Sequence, residues 1–78
     1  MIQIKSPMTG SIQLFLRENG ATVAAGDKII GIESMKMMNE VKTPAAGRLS
    51  FKVRLGQVVN RGQVLAEVDD GATNQTNS

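Results

Sequence analysis

An internal repeat limits the folds available to this chain more than any other feature of its sequence. Residues 6–12 resemble residues 43–49 at an offset of 37 positions. Further along, Gly26 matches Gly62 at an offset of only 36, so we place the missing residue of the second half in its first turn. A solenoid needs three or more stacked repeats. Two copies within 78 residues therefore predict one small domain with pseudo-two-fold symmetry.

Both halves show the pattern of short β-strands separated by glycine turns. Apolar side chains recur at every second position in residues 12–17 and again in residues 49–55, which is the period of a half-buried strand. This phase places Phe15 on the outward side of its strand, where we interpret it as a contact for a partner protein. No segment has a helical period with caps. The sequence predicts an all-β fold, a flattened β-barrel or sandwich of two small antiparallel sheets.

The composition leaves the chain little equipment for catalysis. It has no histidine and no cysteine, which removes the commonest general base and every thiolate ligand. We therefore predict no catalytic residue and no metal site. The net charge of +2 is scattered along the chain, which argues against binding to nucleic acid.

Targeting signals are equally sparse. No apolar run approaches the ~20 residues of a membrane span, so no membrane association is expected. A signal-peptide pattern is missing at the N-terminus. We expect a cytoplasmic protein, or an organellar one if the chain is eukaryotic. From Gly71 onward the sequence is polar, so we expect a domain over residues 1–70 and a disordered tail over residues 71–78.

A lysine between two methionines occupies the junction of the two halves. Met35, Lys36 and Met37 follow closely on Glu33. Most lysines only solvate a surface and most methionines fill a core, but this combination at a hairpin between repeats is more specific. The repeat aligns Lys36 with Ala72, just past the last strand. We therefore expect both chain termini at the end of the domain opposite Lys36.

Reactivity alone does not distinguish Lys36 from the other lysines. Lysine side chains are almost fully protonated near neutral pH, and no neighbouring base in the sequence would activate this one. If Lys36 is selected for modification, the selection must depend on how a tight turn presents its side chain. Another enzyme must then supply the activation of the amine.

These residues resemble the biotinyl/lipoyl attachment domain family, and in particular the biotin carboxyl carrier domains of acetyl-CoA carboxylase-type enzymes. The resemblance covers residues 3–69 and is carried above all by residues 33–39. It implies a barrel-sandwich hybrid with Lys36 at a hairpin tip, joined to biotin through an amide by a biotin protein ligase. It also implies that Glu33, Met35 and Met37 help the ligase to recognise the hairpin.

The same resemblance implies a non-catalytic carrier that moves a carboxyl group between biotin carboxylase and carboxyltransferase sites, as in the acyl-CoA carboxylases of fatty acid biosynthesis. The isolated domain is expected to be monomeric. Residues 10–20 are too few for the protruding thumb of some bacterial carriers, so a thumbless domain is expected. Two alternatives stay open. One is a lipoyl carrier, whose tip typically reads Asp-Lys-Ala, and the other is an unmodified adaptor domain of the same fold.

Overall fold

The computed structural model describes residues 1–71, which form eight β-strands and no helix. None of these residues therefore belongs to a helix able to cross a membrane. The strands are β1 (Ile2–Lys5), β2 (Gly10–Phe15), β3 (Thr22–Val23), β4 (Lys28–Ser34), β5 (Met37–Lys42), β6 (Gly47–Phe51), β7 (Val58–Val59) and β8 (Val64–Asp69).

The strands form two four-stranded antiparallel sheets. The hairpin sheet has the order β5-β4-β2-β7, and the terminal sheet has the order β1-β8-β6-β3. Each half of the repeat contributes its short strand to the other sheet, since β3 pairs with β6 and β7 pairs with β2. The predicted all-β, two-sheet fold with pseudo-two-fold symmetry is confirmed.

The two sheets repeat one pairing scheme. Ile12 pairs with Ile32 in the hairpin sheet, and their equivalents Leu49 and Val68 pair in the terminal sheet. β1 lies beside β8 in the way that β5 lies beside β4. In the terminal sheet, the first strand of the chain thus takes the place that the outer hairpin strand has in the hairpin sheet.

The extra residue of the first half lies inside β2, so its predicted location in a turn is wrong. The register between β2 and β4 slips by one position between Ile12 and Leu14, which leaves Gln13 as a β-bulge. β6 pairs with β8 without a slip. Beyond the bulge, Phe15 is therefore equivalent to Phe51. The bulge absorbs the one-residue difference between the two offsets of the repeat.

The bulge also reverses the predicted orientation of Phe15. One extra residue moves the following side chains to the opposite face of a strand. Phe15 packs against the core and stacks on Phe51, with the two ring centroids 4.2 Å apart. The outward position predicted for Phe15 is wrong, and the partner contact inferred from it has lost its basis.

The predicted alternation of apolar and polar side chains over residues 49–55 also fails beyond β6, where Leu55 lies exposed in a turn.

The core lies between the two sheets and is mostly β-branched, as expected for side chains packed on pleated surfaces. Its buried members are Ile4, Ile12, Val23, Ile29, Ile30, Ile32, Val41, Leu49, Val53, Val59, Leu65, Ala66 and Val68. Ser6 and Thr43 are buried at equivalent positions, and each hydroxyl donates to the main-chain carbonyl two residues later. These bonds satisfy the only polar side chains buried in the described part of the chain.

The two ends of the described chain lie together. The amino group of Met1 is 3.6 Å from a carboxylate oxygen of Asp70. The main-chain N–H of Ser6 donates a hydrogen bond to the carbonyl of Gln63 just before β8. Gly10 lies next to the main-chain carbonyl of Glu33 near the end of β4. β8 thus begins on the side of the hairpin and runs away from it, which brings the ends to the opposite side as the repeat predicts. The predicted tail lies outside the described residues from position 72 onward.

Candidate functional site

The hairpin of β4 and β5 ends in a two-residue turn formed by Met35 and Lys36. Ser34 pairs with Met37 at the base of the turn. The φ angles of Met35 and Lys36 are both positive, at 53° and 64°. Positive φ at both central residues is the pattern of a type I′ turn, whose twist matches that of the flanking strands.

The residues at this turn conflict with the backbone conformation that they adopt. A type I′ turn prefers Asn-Gly, because a Cβ atom clashes with the following carbonyl in the left-handed region. All other positive φ angles within residues 1–71 belong to glycines. The strain at Met35 and Lys36 amounts to roughly 1–2 kcal/mol per residue. Residues that persist in a strained turn point to a role other than stability.

The side chains of the turn project into solvent. Met35 is 92% exposed, Met37 is 66% exposed, and Lys36 is exposed between them. None of the ion pairs formed within the described chain involves Lys36. Among residues 1–71 the primary amine of Lys36 therefore has no ion-pair partner, and its exposure fits a cofactor attached through an amide.

The backbone of the hairpin is held firmly while its tip remains open. A Cβ atom at Gly10 would collide with the main-chain carbonyl of Glu33, so this position on β2 has room only for glycine. The Asn39 side-chain amide donates a hydrogen bond to the carbonyl of Met37 at 3.2 Å. Close packing of β2 on β4 thus fixes the direction in which Lys36 is presented.

Glu33 lies on the outer face of the hairpin sheet, within a row of residues from four strands. It pairs with Met38 on one side and with Ser11 on the other, and Ser11 pairs with Val58. Met38 is 51% exposed and Val58 is 68% exposed. Met38 and Val58 were not among the site residues predicted from the sequence. Only the cross-strand register brings them beside Glu33.

Two surface clefts lie away from the tip. A cleft of about 590 Å³ is lined by the Phe15–Phe51 pair and by residues 16–19 and Val53. A second cleft, of about 410 Å³, lies between β1 and β5. Residues 33–37 line neither of them. The candidate site is thus a projecting side chain and not an enclosed pocket.

Comparisons with known proteins agree with this geometry. Residues 2–68 match the biotin and lipoyl family of domains, described as that of biotin-requiring enzymes. The mitochondrial methylcrotonoyl-CoA carboxylase subunit alpha of Arabidopsis thaliana is 39% identical over 66 residues, which cover 83% of this chain and 9% of that protein. The solved structure of the Kluyveromyces lactis urea carboxylase superposes with a TM-score of 0.79 at 28% identity, covering 85% of this chain and 6% of that one.

A further relative has a name that refers to lipoate. The dihydrolipoyllysine-residue acetyltransferase component of the pyruvate dehydrogenase complex of Mycoplasma pneumoniae is 33% identical over 64 residues, which cover 81% of this chain and 16% of that protein. The chain therefore spans less than a fifth of the length of each of these relatives. The match over residues 2–68 confirms the resemblance inferred from the sequence: the chain belongs to the biotinyl/lipoyl attachment domain family.

Proposed function

We propose that residues 1–70 form a biotin carboxyl carrier domain with biotin attached to Lys36 through an amide. The observation that supports this most strongly is the strained turn, which holds Lys36 at a positive φ between two exposed methionines. Other lysines are placed differently. Lys28 pairs with Glu40 at 2.9 Å, and Lys52 pairs with Glu67 at 3.7 Å. Lys5 and Lys42, which form no ion pair within the described chain, lie at the ends of strands β1 and β5 and not in a projecting turn, so position and shape favour Lys36.

Met35, Met37 and Glu33 act in this proposal as the features by which a biotin protein ligase recognises the hairpin. Exposed methionine side chains are flexible and polarizable, so they can make apolar contacts with an enzyme that binds only this short turn. The methionines also favour biotin over lipoate, since the tip of lipoyl domains typically reads Asp-Lys-Ala. The Mycoplasma relative keeps the lipoyl carrier as the competing function.

In the proposed reaction, this domain holds the biotin group covalently on Lys36. Biotin, once bound, supplies the chemistry of carboxyl transfer, while partner enzymes supply catalysis. Amide formation removes the charge of Lys36 and lowers the formal net charge of +2 by one unit. A neutral arm on a projecting turn can enter a biotin carboxylase site and a carboxyltransferase site without first breaking an ion pair, and tethering raises its effective concentration at both. The Arabidopsis relative supports an acyl-CoA carboxylase as the parent enzyme.

Intact-mass measurement tests the proposal against its alternatives. The chain is co-expressed with a biotin ligase and, separately, with a lipoyl ligase. We expect a biotin-sized increment that Lys36→Arg abolishes and that the matched control Lys42→Arg retains. A lipoyl-sized increment alone would favour the lipoyl carrier, and an unchanged mass with both ligases would favour an unmodified adaptor domain.

The recognition role of the methionines has its own test. Met35→Leu nearly conserves side-chain volume, so we expect an unchanged fold and slower biotinylation. Thermal melting checks the fold, and the initial rate with the ligase checks recognition. Equal rates for the two proteins would count against a role of Met35 in recognition.

A further inference from the structure

A cleft between the two sheets, here called the axial cleft, lies where the two halves of the repeat meet. It separates β1, the outer strand of the terminal sheet, from β5, the outer strand of the hairpin sheet, and its volume is about 410 Å³. At the repeat offset of 37 positions its lining residues form equivalent pairs, namely Gln3 and Glu40, Ile4 and Val41, Lys5 and Lys42, and Pro7 and Pro44. The cleft therefore lies across the pseudo-two-fold axis that relates the halves.

One of these pairs places a cation on each side of the axial cleft. Lys5 and Lys42 are both exposed, and neither belongs to an ion pair formed within residues 1–71. The lining residues include one carboxylate, that of Glu40, and Lys28 already holds it at 2.9 Å. The positive charge of the two lining lysines is therefore not compensated by a carboxylate of the described chain.

Lysines on outer strands also protect a sheet from pairing with the sheets of other molecules. Either sign of charge gives that protection. Lys42 lies opposite Lys28 on the neighbouring strand, where like charges destabilise a sheet. A glutamate at position 42 would protect the strand equally and would attract Lys28. Protection alone therefore does not explain why both sides of the axial cleft are positive.

We infer that the axial cleft is a docking site for an acidic segment of a partner protein, with one carboxylate of the segment bound by Lys5 and another by Lys42. Charge complementarity supports this occupant, because complementary potentials guide association and fix the register of two surfaces. Pro7 and Pro44 are exposed at the same cleft and add apolar contact area for the segment.

The arrangement of the two lysines favours a polypeptide over a small anion. They lie on strands of different sheets, and both side chains are exposed. One small anion would have to hold two flexible, like-charged stems close together, at a cost in side-chain entropy and repulsion. A segment with two separate carboxylates can instead meet each ammonium group on its own side of the cleft.

Docking at this place would leave the projecting turn free. Residues 33–37 do not line the axial cleft. A partner bound there would hold the body of the domain while the side chain of Lys36 stays accessible. The inference thus goes beyond the proposed carrier function and does not depend on modification of Lys36.

Fluorescence anisotropy with the unmodified domain tests the inference. The probe is a short fluorescein-labelled peptide in which glutamate alternates with serine, and the control peptide has glutamine in place of glutamate. Lys5→Glu/Lys42→Glu reverses both cations of the cleft. Arg54→Glu/Arg61→Glu is the matched control, because it changes the net charge equally at exposed residues that lie outside the lining and form no ion pair within the described chain. Thermal melting checks the fold of each variant.

We expect the Glu-Ser peptide to bind at low ionic strength and to dissociate as salt is added, since exposed charges are screened. Lys5→Gln and Lys42→Gln should each weaken binding by a similar factor, roughly two- to fivefold, as expected for one exposed ion pair. The double reversal in the cleft should weaken binding more than about tenfold. The arginine double variant should bind with nearly the affinity of the wild type.

Four results would overturn the inference. Equal losses in the two double variants would show attraction to the overall charge and not to the cleft. Equal binding of the Gln-Ser peptide would show that carboxylates are not recognised. A loss in only one of the two Lys→Gln variants would show that the lysines do not act as a pair. Displacement of the peptide by inorganic phosphate at constant ionic strength would assign the cleft to a small anion.

Discussion

Replacing the two turn residues of the hairpin with Asn and Gly is expected to stabilise the domain. Met35 and Lys36 have φ angles of 53° and 64°, where a Cβ atom costs roughly 1–2 kcal/mol per residue. Glycine at position 36 removes that cost but adds roughly 0.5–1 kcal/mol of backbone entropy to the unfolded state. Asparagine at position 35 tolerates the left-handed region better than methionine does. We expect Met35→Asn/Lys36→Gly to raise the free energy of unfolding by about 1 kcal/mol, or the Tm by roughly 4–8 °C.

Circular dichroism during thermal and urea unfolding measures this change. Asn60→Gly is the matched control, because Asn60 is exposed beside a turn and is not among the residues with positive φ. Glycine there has no strain to relieve, so we expect a loss of roughly 0.5–1 kcal/mol. Gly62→Ala is the reverse change at a φ of 88°, and we expect it to destabilise the domain.

The opposite signs of these effects make the test decisive. A Met35→Asn/Lys36→Gly domain no more stable than wild type, together with the expected loss in Asn60→Gly, would show that the turn stores no strain. Met35 and Lys36 would then cost the domain no stability, and strain would no longer indicate a functional role for the turn.

Two further predictions concern the packing that supports the site. Gly10→Ala is expected to destabilise the domain by more than about 2 kcal/mol, because the added Cβ meets the Glu33 carbonyl. Gly20→Ala adds a methyl group in open space at a φ of 87°, so we expect only the smaller loss that comes from the backbone conformation; equal losses for both in urea unfolding would contradict this steric account. Phe15→Leu and Phe51→Leu are expected to show a coupling free energy of roughly 0.5–1.5 kcal/mol in a double-mutant cycle, since the two rings stack 4.2 Å apart. Additive losses would show that the stacking contributes nothing.

The insertion in the first half shows where sequence reasoning reached its limit. The two offsets of the repeat, 37 and 36, correctly indicate one extra residue. A bulge in a strand and a longer turn both add one residue to the sequence. The offsets alone therefore did not show where in the first half the extra residue lies. The register between β2 and β4 places the extra residue at Gln13, which turns Phe15 inward. An error in phase at one residue thus removed the basis for the partner contact inferred for Phe15.

The sequence by itself determined the all-β class, the pseudo-two-fold symmetry and the position of Lys36 at the hairpin between the halves. These features depend on local periodicity, on glycine and proline positions and on the repeat, all of which are present in the order of the residues. Tertiary structure alone decided that Met35 and Lys36 adopt a strained turn and that Ser11, Glu33 and Val58 share one row. Such a row joins residues far apart in the chain, because the side of a sheet on which each side chain lies depends on cross-strand register, which local periodicity does not encode.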